Sequence, residues 1–161
     1  MAYVGRMHST RFETFIDAFA ALAEPSRVLD GDTILCPPSE DYGYQSTPKN
    51  ALAFASMGVD GVHYAILKRD GAVRDDSPVV QVSPMDSDDV TVVAESLLGY
   101  LADGCGVSDE EMEALFDAER AGKPQLVSFL AEHFHGTHLL EEERTDKLNA
   151  RYGHLVERKP G

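Results

Sequence analysis

Apolar positions near the start of the chain recur every three or four residues. Across residues 10–24 this spacing places them on one face of a helix. The apolar positions are Phe12, Phe15, Ile16, Phe19 and Leu22. Ser9 or Thr10 can accept hydrogen bonds from the first free amides, and Pro25 cannot continue a helix. The pattern therefore predicts an amphipathic helix that ends just before Pro25.

The middle of the chain consists of short apolar or β-branched runs separated by turn residues. A short strand is predicted at residues 33–36, followed by an irregular loop rich in proline and glycine. Further strands are predicted at residues 51–56, 62–68, 78–83 and 90–93. Asp60-Gly61 and Asp70-Gly71 tolerate the positive φ angles of tight hairpin turns. Connections this short favour antiparallel pairing, because a parallel crossover needs about a dozen residues or more.

The last third of the chain is predicted to be helical. Helices are expected at residues 94–103, 109–120, 126–130 and 138–151. Gly104 is expected to end the first of them, Ser108 and Glu111 form a capping box for the second, and the fourth is mostly charged. The tail after Gly153 is expected to fray. A block of strands between helices indicates a single α+β domain, with a central, largely antiparallel sheet flanked by N-terminal and C-terminal helices.

Length and charge narrow the classes of function. The chain has 161 residues, which is the size of one ordinary domain, and a formal net charge of −14. Such a charge argues against binding to nucleic acid, whose affinity comes largely from cationic contacts, and against an anionic membrane surface. No apolar N-terminal segment or long apolar run is present, so the expected location is the cytoplasm.

A long acidic stretch is the firmest signal of charge patterning. Residues 75–119 hold no lysine or arginine. Their acidic residues are Asp75, Asp76, Asp86, Asp88, Asp89, Glu95, Asp103, Asp109, Glu110, Glu111, Glu113, Asp117 and Glu119. The stretch is either a solvated surface that favours solubility or an electrostatic footprint for a basic protein partner.

Residues with catalytic or metal-binding chemistry form no established motif. His133, His135 and His138 lack the four-residue spacing that puts two histidines on one helical face. Cys36 and Cys105 stand alone, which indicates two reduced thiols. We therefore predict no catalytic residue, no metal and no cofactor. An alternative is a small enzyme or ligand-binding domain, with a pocket formed by the loop at residues 37–48 and a histidine.

The second strand of the predicted hairpin carries two side chains of interest. Alternation along residues 62–68 places His63 on the face opposite Tyr64. One of these two side chains should therefore be exposed, on a solvated face of the sheet. His63 and Tyr64 follow Asp60 directly, so this turn is a candidate binding surface.

Three segments follow one another in the middle of the chain: a strand–Asp60-Gly61–strand unit, a strand that begins with Pro78-Val79-Val80, and a helix containing Tyr100-Leu101. In this order they resemble the SUKH superfamily of bacterial immunity proteins and yeast cell-wall-synthesis regulators. The resemblance covers about a third of the chain, residues 51–105. It implies an α+β fold and a non-enzymatic cytoplasmic protein that neutralises a cognate toxin, often a nuclease. An acidic surface would then occupy the cationic site of that toxin.

These observations lead to a set of candidate contact residues at strand ends and at the loop of residues 84–89. The predicted partner-binding residues are Asp60, His63, Tyr64, Asp86, Asp88 and Asp89. The predicted partner is a basic toxin domain. A regulatory scaffold without a toxin is a second possibility that sequence patterns do not separate from the first.

Overall fold

The computed structural model describes residues 9–22, 28–29, 33–40, 44–57, 60–87 and 89–160, apart from the side chains of residues 137 and 138. The predicted α+β domain is confirmed. The elements in chain order are α1 (Thr10–Ala20), β1 (Ile34–Ser39), β2 (Ala51–Ser56), β3 (His63–Leu67), β4 (Val79–Val82), β5 (Val90–Ala94), α2 (Leu97–Cys105), α3 (Asp109–Arg120), α4 (Leu126–His133) and α5 (Glu142–Tyr152). Short 3-10 turns at Thr137–Leu140 and Gly153–Leu155 flank α5.

The five strands form one antiparallel sheet in which each strand pairs with its neighbours in sequence, β1 to β5. The turn chemistry explains this meander. Asp60 and Gly61 have φ angles of 52° and 72°, and Asp70 and Gly71 have 55° and 81°. Paired positive φ values match the right-handed twist of hairpin strands, so the first turn directs β3 back beside β2, and the second reverses the chain between β3 and β4.

Both faces of the sheet are covered. Tyr64 and Ile66 of β3 point into a large core shared with α1, α2, α3 and α4. Ala65 and Leu67 point to the opposite face, where a second cluster contains mainly small and β-branched side chains. The residues that cover this second face come from the C-terminal end of the chain and are Leu148, Tyr152, Leu155 and Val156.

The outer edge of β5 is closed by side chains of α5. The Asn149 amide accepts a hydrogen bond from the Val92 N–H at 2.9 Å and donates one to the Val92 carbonyl at 3.2 Å. Arg144 donates to the carbonyl of Val93. An amide that bonds both groups of one residue replaces the missing neighbour strand at this edge.

Replacing Asn149 with alanine is expected to lower the free energy of unfolding by about 1–3 kcal/mol, because the buried Val92 amide and carbonyl lose their partner. Urea denaturation checks this value. Asp146→Ala, at an exposed position of the same helix, is the control and should leave stability within about 0.5 kcal/mol. Equal losses in the two variants would contradict the assigned role of Asn149.

Several predicted boundaries in the helical third differ from the structure. The helix expected from residue 94 begins only at Leu97, because Ala94 belongs to β5, and the helix expected to end at Leu130 continues to His133. The helix expected to end at Gly104 continues to Cys105 and ends at Gly106, which has φ 70°. Gly104 lies inside the helix, where its lack of a side chain makes room for the ring of Phe134. The fourth predicted helix is divided, since a 3-10 turn precedes Glu142 and α5 begins only there.

The C-terminal tail was expected to fray, whereas residues 155–160 are held in place by hydrogen bonds. Lys49 N–H donates to the carbonyl of Glu157 at 2.8 Å. The Asn50 side chain bonds the backbone of Leu155 and Glu157, and Gln45 donates to the carbonyl of Pro160. The anchoring residues lie in the segment before β2, far away in sequence, so local composition gave no signal of them.

Candidate functional site

One end of the sheet brings together the turns that the sequence marked as candidate binding surfaces. The strand register aligns one residue from each strand in a row across this end. The residues of the row are Ile34, Ser56, His63, Val82 and Val90. At about 4.8 Å between strands, the row spans about 19 Å. We define the turn end as Ile34, Tyr44, Asp60, Gly61, Met85, Asp86 and Asp89.

The turn end carries exposed apolar side chains. Met85, in the β4–β5 turn, is 79% exposed, and Ile34 at the start of β1 is 40% exposed. Tyr44 is 38% exposed, and its ring lies so close to Gly61 that any side chain there would collide with it. Of the four large hydrophobic side chains that are exposed within the described ranges, only Leu140 belongs to another part of the molecule.

Acidic side chains accompany these apolar groups. Asp60 and Asp86 are exposed in the two turns. Asp89 is 23% exposed and forms an ion pair with Arg158 at 2.9 Å. Burial acts to raise the pKa of Asp89, but hydrogen bonds from Arg158 and Ser46 outweigh burial and hold this pKa below its usual value. Asp88, the remaining acidic candidate, lies outside the described residues.

The expectation that either His63 or Tyr64 is exposed was wrong, because both are buried. Tyr64 faces the large core and packs against Tyr100, with 6.1 Å between ring centroids. His63 faces the second side, which the C-terminal part of the chain covers. Alternation gave the correct opposite orientations, but the premise of one solvated face was false.

His63 is held by hydrogen bonds on both ring nitrogens. Nδ1 lies 2.7 Å from the carbonyl oxygen of Gly61, which can only accept, so Nδ1 carries the proton. Nε2 then accepts from the Thr47 hydroxyl at 2.9 Å, and Tyr44 stacks on the imidazole. Burial lowers the pKa of His63, the Gly61 carbonyl partly counters that effect, and nearby Lys159 lowers it further. The neutral imidazole therefore supports the Gly61 turn and Tyr44.

Arginines from other parts of the chain neutralise much of the acidic stretch. They pair with six of its members, which are Asp75, Asp76, Asp89, Asp103, Glu113 and Asp117. The arginines involved are Arg11, Arg69, Arg120, Arg144 and Arg158. Residues 75–119 therefore do not form one uniformly negative surface for a basic partner.

Among the described residues, the histidine and cysteine candidates do not assemble into a site. His133 packs against Phe129 in a tilted arrangement, with 4.4 Å between ring centroids, and the side chain of His138 lies outside the description. Within the ranges that the structure describes, no group of three or more histidine, cysteine or acidic side chains could hold a metal ion. Burial raises the pKa of Cys36 and raises that of Cys105 to about 11, so both thiols are protonated at neutral pH.

An apolar groove lies where the sequence suggested a pocket. Residues of α1, β1 and β2 line a space of about 420 Å³ that includes its open mouth, and Cys36, Pro37 and Pro38 form one wall. None of the described residues that line this groove is a histidine or a carboxylate. The groove therefore lacks the converging polar groups that a catalytic pocket needs.

Comparisons with known proteins found no similar protein. No family model, no curated protein and no solved structure matches the chain. The SUKH resemblance therefore stays a prediction. Among the described residues, no helix combines the length and the apolarity needed to cross a membrane.

Proposed function

We propose that the protein is a non-enzymatic binding module that recognises a basic protein partner through the turn end. The observation that carries this proposal is the gathering of Ile34, Tyr44 and Met85 beside Asp60 and Asp86 on one surface about 19 Å wide. Exposed apolar groups concentrated at one place indicate an interaction surface.

The apolar and acidic groups would contribute differently to binding. Methionine and tyrosine are enriched at protein interfaces, where a few central side chains dominate affinity. Exposed acids such as Asp60 and Asp86 act mainly on the rate of encounter with a positively charged partner. His63 holds the backbone beneath these groups, since its ring donates to the Gly61 carbonyl and accepts from the Thr47 hydroxyl.

Within this class, the resemblance to SUKH immunity proteins favours neutralisation of a toxin in the cytoplasm. A toxin that acts on nucleic acid has a cationic substrate site, and an acidic surface would compete for it. A regulatory scaffold would use the same kind of surface with a different partner. The chemical nature of the recovered partner separates these two forms of the proposal.

Replacing Met85 with alanine is expected to weaken partner binding about tenfold, because the most exposed apolar side chain of the turn end is lost. The partner is first captured at low salt from the organism that makes this protein, and affinity is then measured with the purified pair by calorimetry. Leu140→Ala removes an exposed leucine elsewhere and is the matched control. Equal binding by wild type and Met85→Ala would contradict the proposed surface.

Reversing charge at Asp60 and Asp86 with lysine is expected to slow association about tenfold and to flatten its dependence on salt. Stopped-flow measurements over a range of salt concentrations check both effects. The control is the double variant Asp17→Lys with Glu132→Lys, which changes the net charge by the same amount at exposed positions of α1 and α4. If both pairs of substitutions slow association equally, net charge and not the turn end steers the partner.

A further inference from the structure

The C-terminal tail places a guanidinium group on an acidic residue of the turn end. Arg158 contacts Asp89 at two points, with Nη1 at 3.1 Å from Oδ2 and Nη2 at 2.9 Å from Oδ1. This parallel arrangement is the geometry in which a carboxylate recognises arginine specifically. Lysine, with a single ammonium group, does not reproduce it.

Asp89 is the acidic group of the turn end that is best prepared for such a contact. Its side chain is 23% exposed, so a bound guanidinium is partly shielded from water. Ser46 also hydrogen-bonds the carboxylate and fixes its orientation. Asp60 and Asp86, by contrast, are exposed in their turns and can act only as diffuse charges.

Arg158, the residue that pairs with Asp89, is itself accessible to solvent. Arg158 is 57% exposed although its carboxylate partner is mostly covered, so an incoming side chain can reach the pair from solvent. Next to it, Lys159 donates to the carbonyl of Tyr44 at 2.8 Å. Two consecutive cationic residues of the tail thus lie on the surface assigned to a cationic partner.

Building on the proposed function, we infer that Asp89 receives an arginine side chain of the partner, and that Arg158 occupies this place until the partner displaces it. The tail is then an intramolecular competitor. Its backbone bonds to Lys49 and Asn50 keep Arg158 close to Asp89, so the competitor has a high effective concentration. Displacement requires only exchange of one guanidinium for another.

The test uses a short oligo-arginine peptide labelled with fluorescein, whose binding is measured by fluorescence anisotropy at low salt. Arg158→Gln is expected to bind this peptide about fivefold more tightly than wild type, because the internal competitor is gone. Lys147→Gln is the matched control, since it also removes one positive charge and also releases a carboxylate, that of Glu143. The affinity of Lys147→Gln for the peptide should stay within about twofold of the wild-type value.

Adding Asp89→Asn to Arg158→Gln should remove the gain in affinity. The inference would be overturned if Arg158→Gln and Lys147→Gln raised the affinity for the peptide equally. It would also be overturned if the higher affinity of Arg158→Gln persisted when Asp89→Asn was added. Either result would leave the proposed function standing. If neither wild type nor Arg158→Gln binds the peptide, the proposed cationic partner is contradicted as well.

Discussion

Replacing Gly104 with alanine is expected to lower the free energy of unfolding by about 1–3 kcal/mol, although alanine normally stabilises a helix. A Cβ atom at this position would lie 2.5 Å from Cδ2 of Phe134 and closer still to Cε2. Phe134 is buried and packs against Tyr100, with 5.4 Å between ring centroids, so the ring has no free space to enter. Either α2 or α4 must shift, and the core loses contacts.

Gly153→Ala is the matched control, because no atom lies within 4 Å of a Cβ built there and its φ angle of −57° suits alanine. This variant should match wild type or be up to about 1 kcal/mol more stable. Thermal and urea denaturation measure the change in stability of Gly104→Ala and of Gly153→Ala. Shortening the opposing side chain by Phe134→Leu should reduce the cost of Gly104→Ala; additive effects in that double-mutant cycle would contradict the proposed collision.

Acidification from about pH 6.5 is expected to destabilise the protein through His63. The unfolded chain binds a proton near pH 6.5, but burial lowers the pKa of His63 in the folded protein. Between these two pKa values the unfolded state holds more protons, so stability is greatest above the unfolded value and falls as pH decreases. One proton limits this slope to about 1.4 kcal/mol per pH unit, and the slope vanishes below the folded pKa.

Urea denaturation at several pH values between 7 and 5 checks this slope. His63→Gln keeps a polar side chain beside Thr47 but does not titrate, so it should be less stable than wild type and show a flatter profile. His133, His135 and His154 are exposed, whereas His63 is buried. A slope that persists in His63→Gln would assign the effect to another group.

Thr47→Val tests the same contact at neutral pH. Valine has the shape of threonine, but it leaves Nε2 of His63 buried without its hydrogen-bond donor. We expect a loss of about 1–3 kcal/mol at pH 7. Thr91→Val, on the half-buried surface of β5, should change stability by less than about 0.5 kcal/mol.

Local signals in the sequence were sufficient for most elements. Ser108 caps α3 as predicted and accepts a hydrogen bond from the Glu111 N–H. Asp60-Gly61 and Asp70-Gly71 adopt the positive φ angles expected of them. Each of these features depends on residues close together in sequence, whose conformational preferences are the same in a peptide and in the fold.

The candidate site depended on contacts between residues far apart in sequence, and these were not predictable. The pairing of Asp89 with Arg158 joins residues 69 positions apart, and the stacking of Tyr44 on His63 requires a loop with no periodicity. The exposed Met85 was not among the predicted contact residues. The signal available was an apolar residue within a polar turn, which alone has little specificity.

The way in which the second face of the sheet is covered constrains folding during synthesis. The five strands pair in sequence order, so each hairpin can form as the chain lengthens. The face that includes Ala51, Ala53 and Ala65 is covered by residues 148–156, which a ribosome makes after all five strands. A nascent chain thus presents an uncovered sheet face until residues 148–156 have left the ribosome. The alanines limit the apolar area that a chaperone or another nascent chain could bind during that interval.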